Sequence, residues 1–477
     1  MRPPPTTAEY LVSWALRAPA HPALREEGTE VTYSQLCGMV IQAVHLLRRH
    51  GVKRGDRVAV AGPGFGIQLV VLLAAEGLGA STLSFQAEGD PDIDFVLSHA
   101  EWVIARVQQV VPAPARFIAL DDAFLRELRQ PVSELDGLWA PLEAHEIQRI
   151  SRTSGSTGRS KFMPLSRRAQ EYWVSGSLDV KRYTPDTRLL ICGPLVMNVA
   201  FTRSSTCLRS GGLVMAGSGA WLPQLAPTDL WGLPVQIERL LHEAPPDWRS
   251  AQPVPVSTVG GVLSPALRQR LREVFHAEPV SRYGNNETGV ICDDLDAGGT
   301  GVMRHGVDVR ILDTEGRDLP RGVWGRIAVR TPSMAEGYID LPQETAQSFQ
   351  DGWFITADVG ALVASRLLRL AGRQDDLVNI AGIKMPATQI EDALRAGGEV
   401  RDCAVVAVNL QGGEVTVGVA LVLAPGATAA QAQARLQGLL RLDAETLARM
   451  LVLPELPLMH TGKVDRMALQ RMFQSQG

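Results

Sequence analysis

The chain has 477 residues, 45% of them hydrophobic and 21% charged, enough to bury at least one sizeable core and to divide into two or more domains. Its 47 Lys and Arg against 51 Asp and Glu leave a net charge of −4, so no overall basic field points to nucleic acid or an anionic membrane, and small molecules are the expected partners. Five scattered cysteines without a CxxC pair, nine histidines without HExxH spacing, and a longest apolar run (Leu69 to Ala75) too short to span a bilayer argue against a disulfide framework, a protein-held zinc site and a membrane helix, and for a reducing cytoplasm.

In chain order, Thr32 to Arg49 carries helical periodicity, Gly55 to Val60 reads as a strand ending in the turn Gly62 to Gly66, and Ile67 to Leu78 reads as the next helix. Such alternation predicts a parallel sheet with helical crossovers. Residues 106 to 148 spell no motif, and Glu134 to Arg149 reads as helix and connector. Thr153-Ser154-Gly155-Ser156-Thr157-Gly158-Arg159-Ser160-Lys161 then offers a polyphosphate cradle: Gly155 and Gly158 let backbone N–H groups converge on an anion, the hydroxyls add donors, and Lys161 supplies a cation. It is not a Walker A loop, because Ser160 stands where that pattern needs a glycine before the lysine. The bland alternative is a Ser/Gly surface loop.

Beyond it, Arg168 to Val180 reads as an amphipathic helix and Arg188 to Pro194 as a buried strand running into a turn. Leu208 to Ala216 reads as turn then strand, and Val256 to Gly261 as a strand ending in a glycine pair, with Ser264-Pro265 starting the next helix. Val307 to Leu312 and Gly325 to Arg330 suggest antiparallel strands. The helix Gln389 to Leu394, the strands Cys403 to Val408 and Val415 to Leu423, and the helix Ala427 to Leu440 form a small α+β unit.

The cradle resembles the phosphate loop of the acyl- and aryl-adenylate-forming ligase superfamily, which includes acyl-CoA synthetases, adenylation domains of nonribosomal peptide synthetases and luciferases. That pattern, T-S-G-[ST]-T-G-x-P-K, departs here only at Ser160. Further strings match in family order. The segment from Thr32 and the strand from Gly55 resemble L-T-Y-x-E-L and x-x-G-D-x-V-A-V. Val259-Gly260-Gly261 resembles G-G-x-x-L, and Tyr283-Gly284-Asn285-Asn286-Glu287 resembles Y-G-x-T-E with Asn286 for threonine. Gly352 to Asp358 resembles G-W-x-x-T-G-D with Ala357 for glycine, Gly372 to Lys384 resembles G-R-x-D-D-x-[IV]-x-x-x-G-x-[KR], and the tail to Arg466 resembles L-P-x-T-x-x-G-K-[VI]-x-R.

The resemblance implies an α/β architecture, a large N-terminal domain of mixed and parallel sheets with helical crossovers (residues 1–374) and a small mobile α+β C-terminal domain (375–477). It implies ATP-dependent activation of a carboxylic acid to an acyl-adenylate, then transfer to a thiol. The nucleotide would meet Thr153, Ser154, Gly155, Ser156, Thr157, Gly158, Lys161, Gly260, Gly261, Tyr283, Gly284, Asn285 and Asn286, with Asp358 and Arg373 on the ribose. Lys463, Glu287 and Thr157 would be catalytic, Lys463 binding the acyl carboxylate and α-phosphate and Glu287 holding Mg2+. Asp375 would be the hinge, and Gly382 and Lys384 the loop facing the site during thiol attack.

Met197, Asn198 and Gly260 fall in the implied acyl pocket, Met197 replacing a histidine and Asn198 an aspartate that pairs with the ammonium of amino acid substrates. A neutral amide cannot neutralise an ammonium, so an α-amino acid is disfavoured. Asn198 either reads a ring hydroxyl, as in aryl-acid-activating members, or satisfies backbone groups in a turn. The polar run Thr202 to Cys207 suits an aryl or otherwise unsaturated acid better than a saturated long chain. The implied thiol is coenzyme A or a phosphopantetheinyl carrier protein acting in trans, and a catalytically inactive nucleotide-binding homologue is the reading from a different class.

Overall fold

A computed structural model describes residues 5–106, 109, 112, 115–132, 139–140, 142–153, 160–181, 183–260, 263–296, 298–373, 377–380, 383–409, 415–440, 449–457 and 464–475. The chain is mixed α/β, as expected, and divides into two compact units: residues 1–296, 301–308 and 329–354 form the first, and residues 297–300, 309–328 and 355–477 the second.

The first unit is built on two sheets. One has six strands in the order Arg116–Ala119, Trp102–Ala105, Arg57–Ala61, Ser81–Ser84, Ile147–Thr153 and Lys161–Ser166, all parallel except the last pair. The other runs Thr300–Met303, Gly289–Asp293, Val280–Asn285, Val256–Val259, Asp229–Gly232, Arg188–Ile191, Leu213–Ala216, Pro22–Glu26 and Thr29–Thr32. Helices Tyr33–His50, Phe65–Gly77 and Asn198–Arg209 share one buried cluster with Val58, Val60 and Ile104 of the first sheet and Leu189, Ile191 and Trp231 of the second. Leu190, Leu230 and Val256, pointing the other way as strand alternation requires, pack under helices Pro234–Glu243 and Pro265–Phe275.

Local chemistry explains where these helices begin. Thr32 and Gln35 form a capping box at the start of Tyr33–His50, and Gly51, at φ 99°, ends that helix in the left-handed region. Phe65–Gly77 is apolar on nearly every side, with Gln68 and Glu76 as its polar residues, as suits a helix enclosed by protein, and has no side-chain cap of its own. Its N-terminus is held instead by the Glu26 carboxylate, which accepts from Phe65 N at 2.8 Å and Gly66 N at 2.9 Å.

Two expectations need correction. Residues 142–146 form a turn and Ile147–Thr153 is a strand, so the described part of 134–149 holds no helix. Two partners override the helical reading: the strand pairs parallel with Ser81–Ser84 and antiparallel with Lys161–Ser166. Leu208 and Arg209, read as the start of a turn, complete helix Asn198–Arg209, which bends into the next strand only at Ser210.

The second unit contains most of the strands Asp308–Leu312, Gly325–Arg330 and Trp353–Ala364, with Leu367–Arg373 beside the last, and the hairpin Leu377–Ile380 with Ile383–Pro386. A three-stranded sheet follows, Val400–Asn409, Val415–Leu423 and Arg449–Val452. One face packs against helices Ala387–Arg395 and Ala429–Leu440, the other against Arg466–Gln474. No helix among the described residues is long and apolar enough to cross a membrane.

Candidate active site

Thr153 and Lys161 are register partners across the antiparallel pair that flanks the cradle, so the two ends of the loop are held side by side. The strand entering the loop is anchored through Arg152, whose guanidinium reaches both Asp90 oxygens at 2.6 and 2.8 Å and Asp92 at 3.0 Å. Burial works to raise the Asp90 carboxyl, but the Arg152 hydrogen bonds and two backbone N–H groups bring it below the usual carboxylate range. Ser154, Gly155, Ser156, Thr157 and Gly158 lie outside the described residues.

Tyr283 to Glu287 run out along strand Val280–Asn285 into a tight turn. A Cβ at Gly284 would stand 2.4 Å from the Gly289 carbonyl, so only glycine fits there. Asn285 accepts from both Thr288 N (2.9 Å) and Thr288 Oγ1 (2.7 Å), a side chain spent on shaping the turn. Asn286 donates through Nδ2 to the Arg152 carbonyl at 2.8 Å, tying this turn to the entry of the cradle.

Glu287 is 8% exposed and accepts at Oε1 from the Tyr338 hydroxyl at 2.9 Å. The Lys161 ammonium lies 4.9 Å from the centroid of the same ring. Tyr338 thus touches both the expected phosphate lysine and the expected metal carboxylate, and its phenol is pushed above its ordinary range by burial first and by Glu287 second, which keeps it a donor. The sequence reading missed this residue, because Ala335 to Ile339 spells none of the matched strings. No group of three His, Cys, Asp or Glu gathers among the described residues to hold a metal alone. A single buried carboxylate completed by phosphates and water is nevertheless a donor set that magnesium accepts, so Glu287 fits the ion.

Gly260 ends strand Val256–Val259 at φ 78°, in the left-handed region, where a side chain would be strained. Met197 is the N-cap of helix Asn198–Arg209, and its sulfur accepts from Gln236 Nε2 at 3.4 Å. Asn198 is 1% exposed and exchanges two hydrogen bonds with Gln170, at 3.1 and 3.2 Å. It sits in the first turn of a helix rather than in a backbone-satisfying turn.

In the second unit, Asp358 and Arg373 are direct partners across the hairpin formed by Trp353–Ala364 and Leu367–Arg373. Directly opposed residues of an antiparallel pair share a sheet face, so the two side chains expected at the ribose stand together. Arg373 Nε is buried without a hydrogen-bond partner among the described residues. Lys384 lies on strand Ile383–Pro386. Gly261, Asp375, Gly382 and Lys463 fall outside the described residues.

Comparison with known proteins gives concordant findings. A family model described as AMP-binding enzyme matches residues 11–339. The chain is 30% identical to a feruloyl-CoA synthase of an Amycolatopsis species over 83% of this chain and 85% of that one. It is 25% identical to a 3-hydroxybenzoate–CoA ligase of an Aromatoleum species over 95% and 94%. Its fold superimposes on ATP-bound MatB from Rhodopseudomonas palustris with a TM-score of 0.84 at 24% identity, covering 98% and 99% of the two chains.

Proposed function

Since the chain belongs to the AMP-binding enzyme family and is an AMP-forming ligase, we propose that it activates a carboxylic acid lacking an α-ammonium group, aryl or otherwise unsaturated, and passes the acyl group to the thiol of coenzyme A. In the first half-reaction an oxygen of the acid attacks the α-phosphorus of ATP, the bond to the bridging oxygen breaks, and pyrophosphate leaves with its electron pair. In the second, the thiol sulfur attacks the acyl carbon, the bond to the AMP oxygen breaks, and the thiol proton passes to solvent.

The protein's contribution is to place and neutralise charge. Thr153 and Lys161, with the loop between them, would hold the β- and γ-phosphates. Glu287, oriented by Tyr338, would hold magnesium, which when bound supplies charge neutralisation on the phosphates. Tyr283 would stack on adenine, and Asp358 and Arg373 would bind the ribose. Lys463 would bridge the acyl carboxylate and α-phosphate, and a rotation about Asp375 would exchange its loop for that of Gly382 and Lys384. Here residues 1–374 would act as the nucleotide-binding domain and 375–477 as the small mobile one.

The observation that carries this reading is the Lys161–Tyr338–Glu287 constellation beside the neck of the cradle. The test is carboxylate-dependent ATP–pyrophosphate exchange over aryl, fatty, short-chain and amino acids, followed by thioester formation with coenzyme A or with a phosphopantetheinyl carrier protein. Exchange best with an aryl acid and transfer to coenzyme A are expected. Preference for an amino acid would refute the pocket reading, transfer only to the carrier would replace the acceptor, and no exchange with any acid would leave an inactive nucleotide-binding homologue.

A further inference from the structure

The hydroxyls in the run Thr202 to Cys207 are largely turned away from any substrate. Thr202, Ser204 and Thr206 donate back to the carbonyls of Val199, Ala200 and Thr202 within their own helix. The residue that stands out is Arg203, 2% exposed, with Nη1 lacking a hydrogen-bond partner among the described residues.

Helical spacing puts Arg203 and Cys207 on one stripe, and both interact electrostatically with Asp229 on strand Asp229–Gly232, so this stripe faces the sheet. Arg282 stands on the same sheet face. It is the register partner of Val259, which packs against the helix's own cluster. It also adjoins Tyr283 in sequence and Gly260 across the strands, both implied in substrate binding.

Arg282 is 5% exposed; its Nε binds Asp293 Oδ1 at 2.6 Å, while its Nη1 is buried without a partner. The other oxygen of Asp293 is taken by Arg304 at 3.1 Å. The buried hydroxyls of Tyr183 and Ser257 lack partners as well. Arg203 and Arg282 therefore each keep a buried Nη1 with no hydrogen-bond acceptor among the described residues, with Asp229 and Asp293 as the neighbouring carboxylates. A buried guanidinium N–H left without an acceptor is unfavourable, and an anion bound against it would remove that cost.

We propose that this basic cluster is the far wall of the acyl pocket and reads a second carboxylate, so that the substrate is a dicarboxylic acid activated at one end and held by Arg203 and Arg282 at the other. This rests on the acid-activating reading above and narrows its substrate class. Arg203 and Arg282 are then specificity-determining residues that take no part in the transfer at phosphorus.

The test is pyrophosphate exchange by the full-length chain with matched acids: benzoate against the benzene dicarboxylates, and cinnamate against 4-carboxycinnamate. The dicarboxylates should lead in kcat/KM by at least about tenfold, the effect of one charged hydrogen bond. Arg203→Met, which keeps a chain of similar length, should reverse that order in a variant whose folding is checked by circular dichroism. Arg282→Met should shift the ratio in the same direction. Wild-type exchange that favours the monocarboxylates would overturn the inference and leave the ligase reading intact, even if neither variant folded. Folded variants with an unchanged ratio would overturn it too. No exchange with any acid would overturn the ligase reading and this inference together.

Discussion

Replacing Tyr338 by Phe removes one oxygen atom and separates two roles of the ring. The hydroxyl that donates to Glu287 at 2.9 Å is lost, while the face 4.9 Å from the Lys161 ammonium is kept. A hydrogen bond to a charged group contributes about 1.5–3 kcal/mol, and Tyr338 is only half-buried, so the lower figure applies; about 1.5 kcal/mol is roughly tenfold in an equilibrium. The bond's work is to hold the Glu287 carboxylate in one rotamer, so the loss should fall on magnesium. Pyrophosphate exchange measured against free Mg2+ should need about ten times more of the ion to reach half its maximum, with a plateau near that of the wild type. Tyr338→Leu, which also deletes the ring, should add a rise in the KM for ATP of about two- to fivefold, the value of an exposed cation–π contact. If the Tyr338→Phe titration superimposes on the wild type, the hydroxyl does not orient Glu287 and the constellation is only packing.

Three further outcomes are expected. Glu76, buried in helix Phe65–Gly77, is pushed up from 4.5 to about 7 by burial, which outweighs the nearby Arg149. The folded state therefore keeps a proton that the unfolded chain gives up near its ordinary pKa: this contribution is complete below about pH 4.5 and is lost as pH rises through about 7, at up to roughly 1.4 kcal/mol per pH unit. Glu76→Gln should flatten the denaturation midpoint over that window, and an unchanged slope would mean that Glu76 titrates normally. Asp358→Ala should weaken ATP binding by calorimetry by about 10- to 100-fold, the value of one charged hydrogen bond; unaltered affinity would remove it from the ribose. Lys463→Ala should cripple adenylation by about 10²–10³, by analogy with the loss of a preorganised donor, yet still turn a supplied acyl-adenylate into thioester; equal loss of both steps in a folded variant would leave the domain rotation without support.

How far the sequence could be read depended on whether a feature is local. The α/β architecture, the helix opening at Thr32, the glycine turn at 260 and the string that ends in Asp358 are encoded within a few residues of where they act, and periodicity or a short string is enough to find them. Tyr338 could not be found that way, because it meets Lys161 and Glu287 only through the tertiary fold. The same holds for Asn285 and Asn286: the string gives their positions, but that one braces Thr288 and the other the Arg152 carbonyl is a matter of three-dimensional neighbours. The strand at 147–153 was lost to the reading for a related reason, since its pairing partners lie on either side of it in the sheet and not in its own composition. The polarity of 202–207 was legible, but whether a hydroxyl faces a substrate or its own helix was not.

The hairpin that aligns Asp358 with Arg373 contains two register shifts, one between Val359 and Gly360 and one between Leu362 and Ala364. The first leaves Ala371 as the extra residue on one strand and the second leaves Val363 on the other, each a bulge that the partner strand does not match. An unmatched residue can be removed without changing which residues face each other elsewhere. Deleting Val363, the more exposed of the two, should leave Asp358 opposite Arg373, whereas deleting a paired residue such as Ala361 would slide the strand by one and turn the aspartate to the opposite face. Length variation among descendants of this chain, natural or made in the laboratory, is therefore expected to collect at the bulge near the hairpin tip.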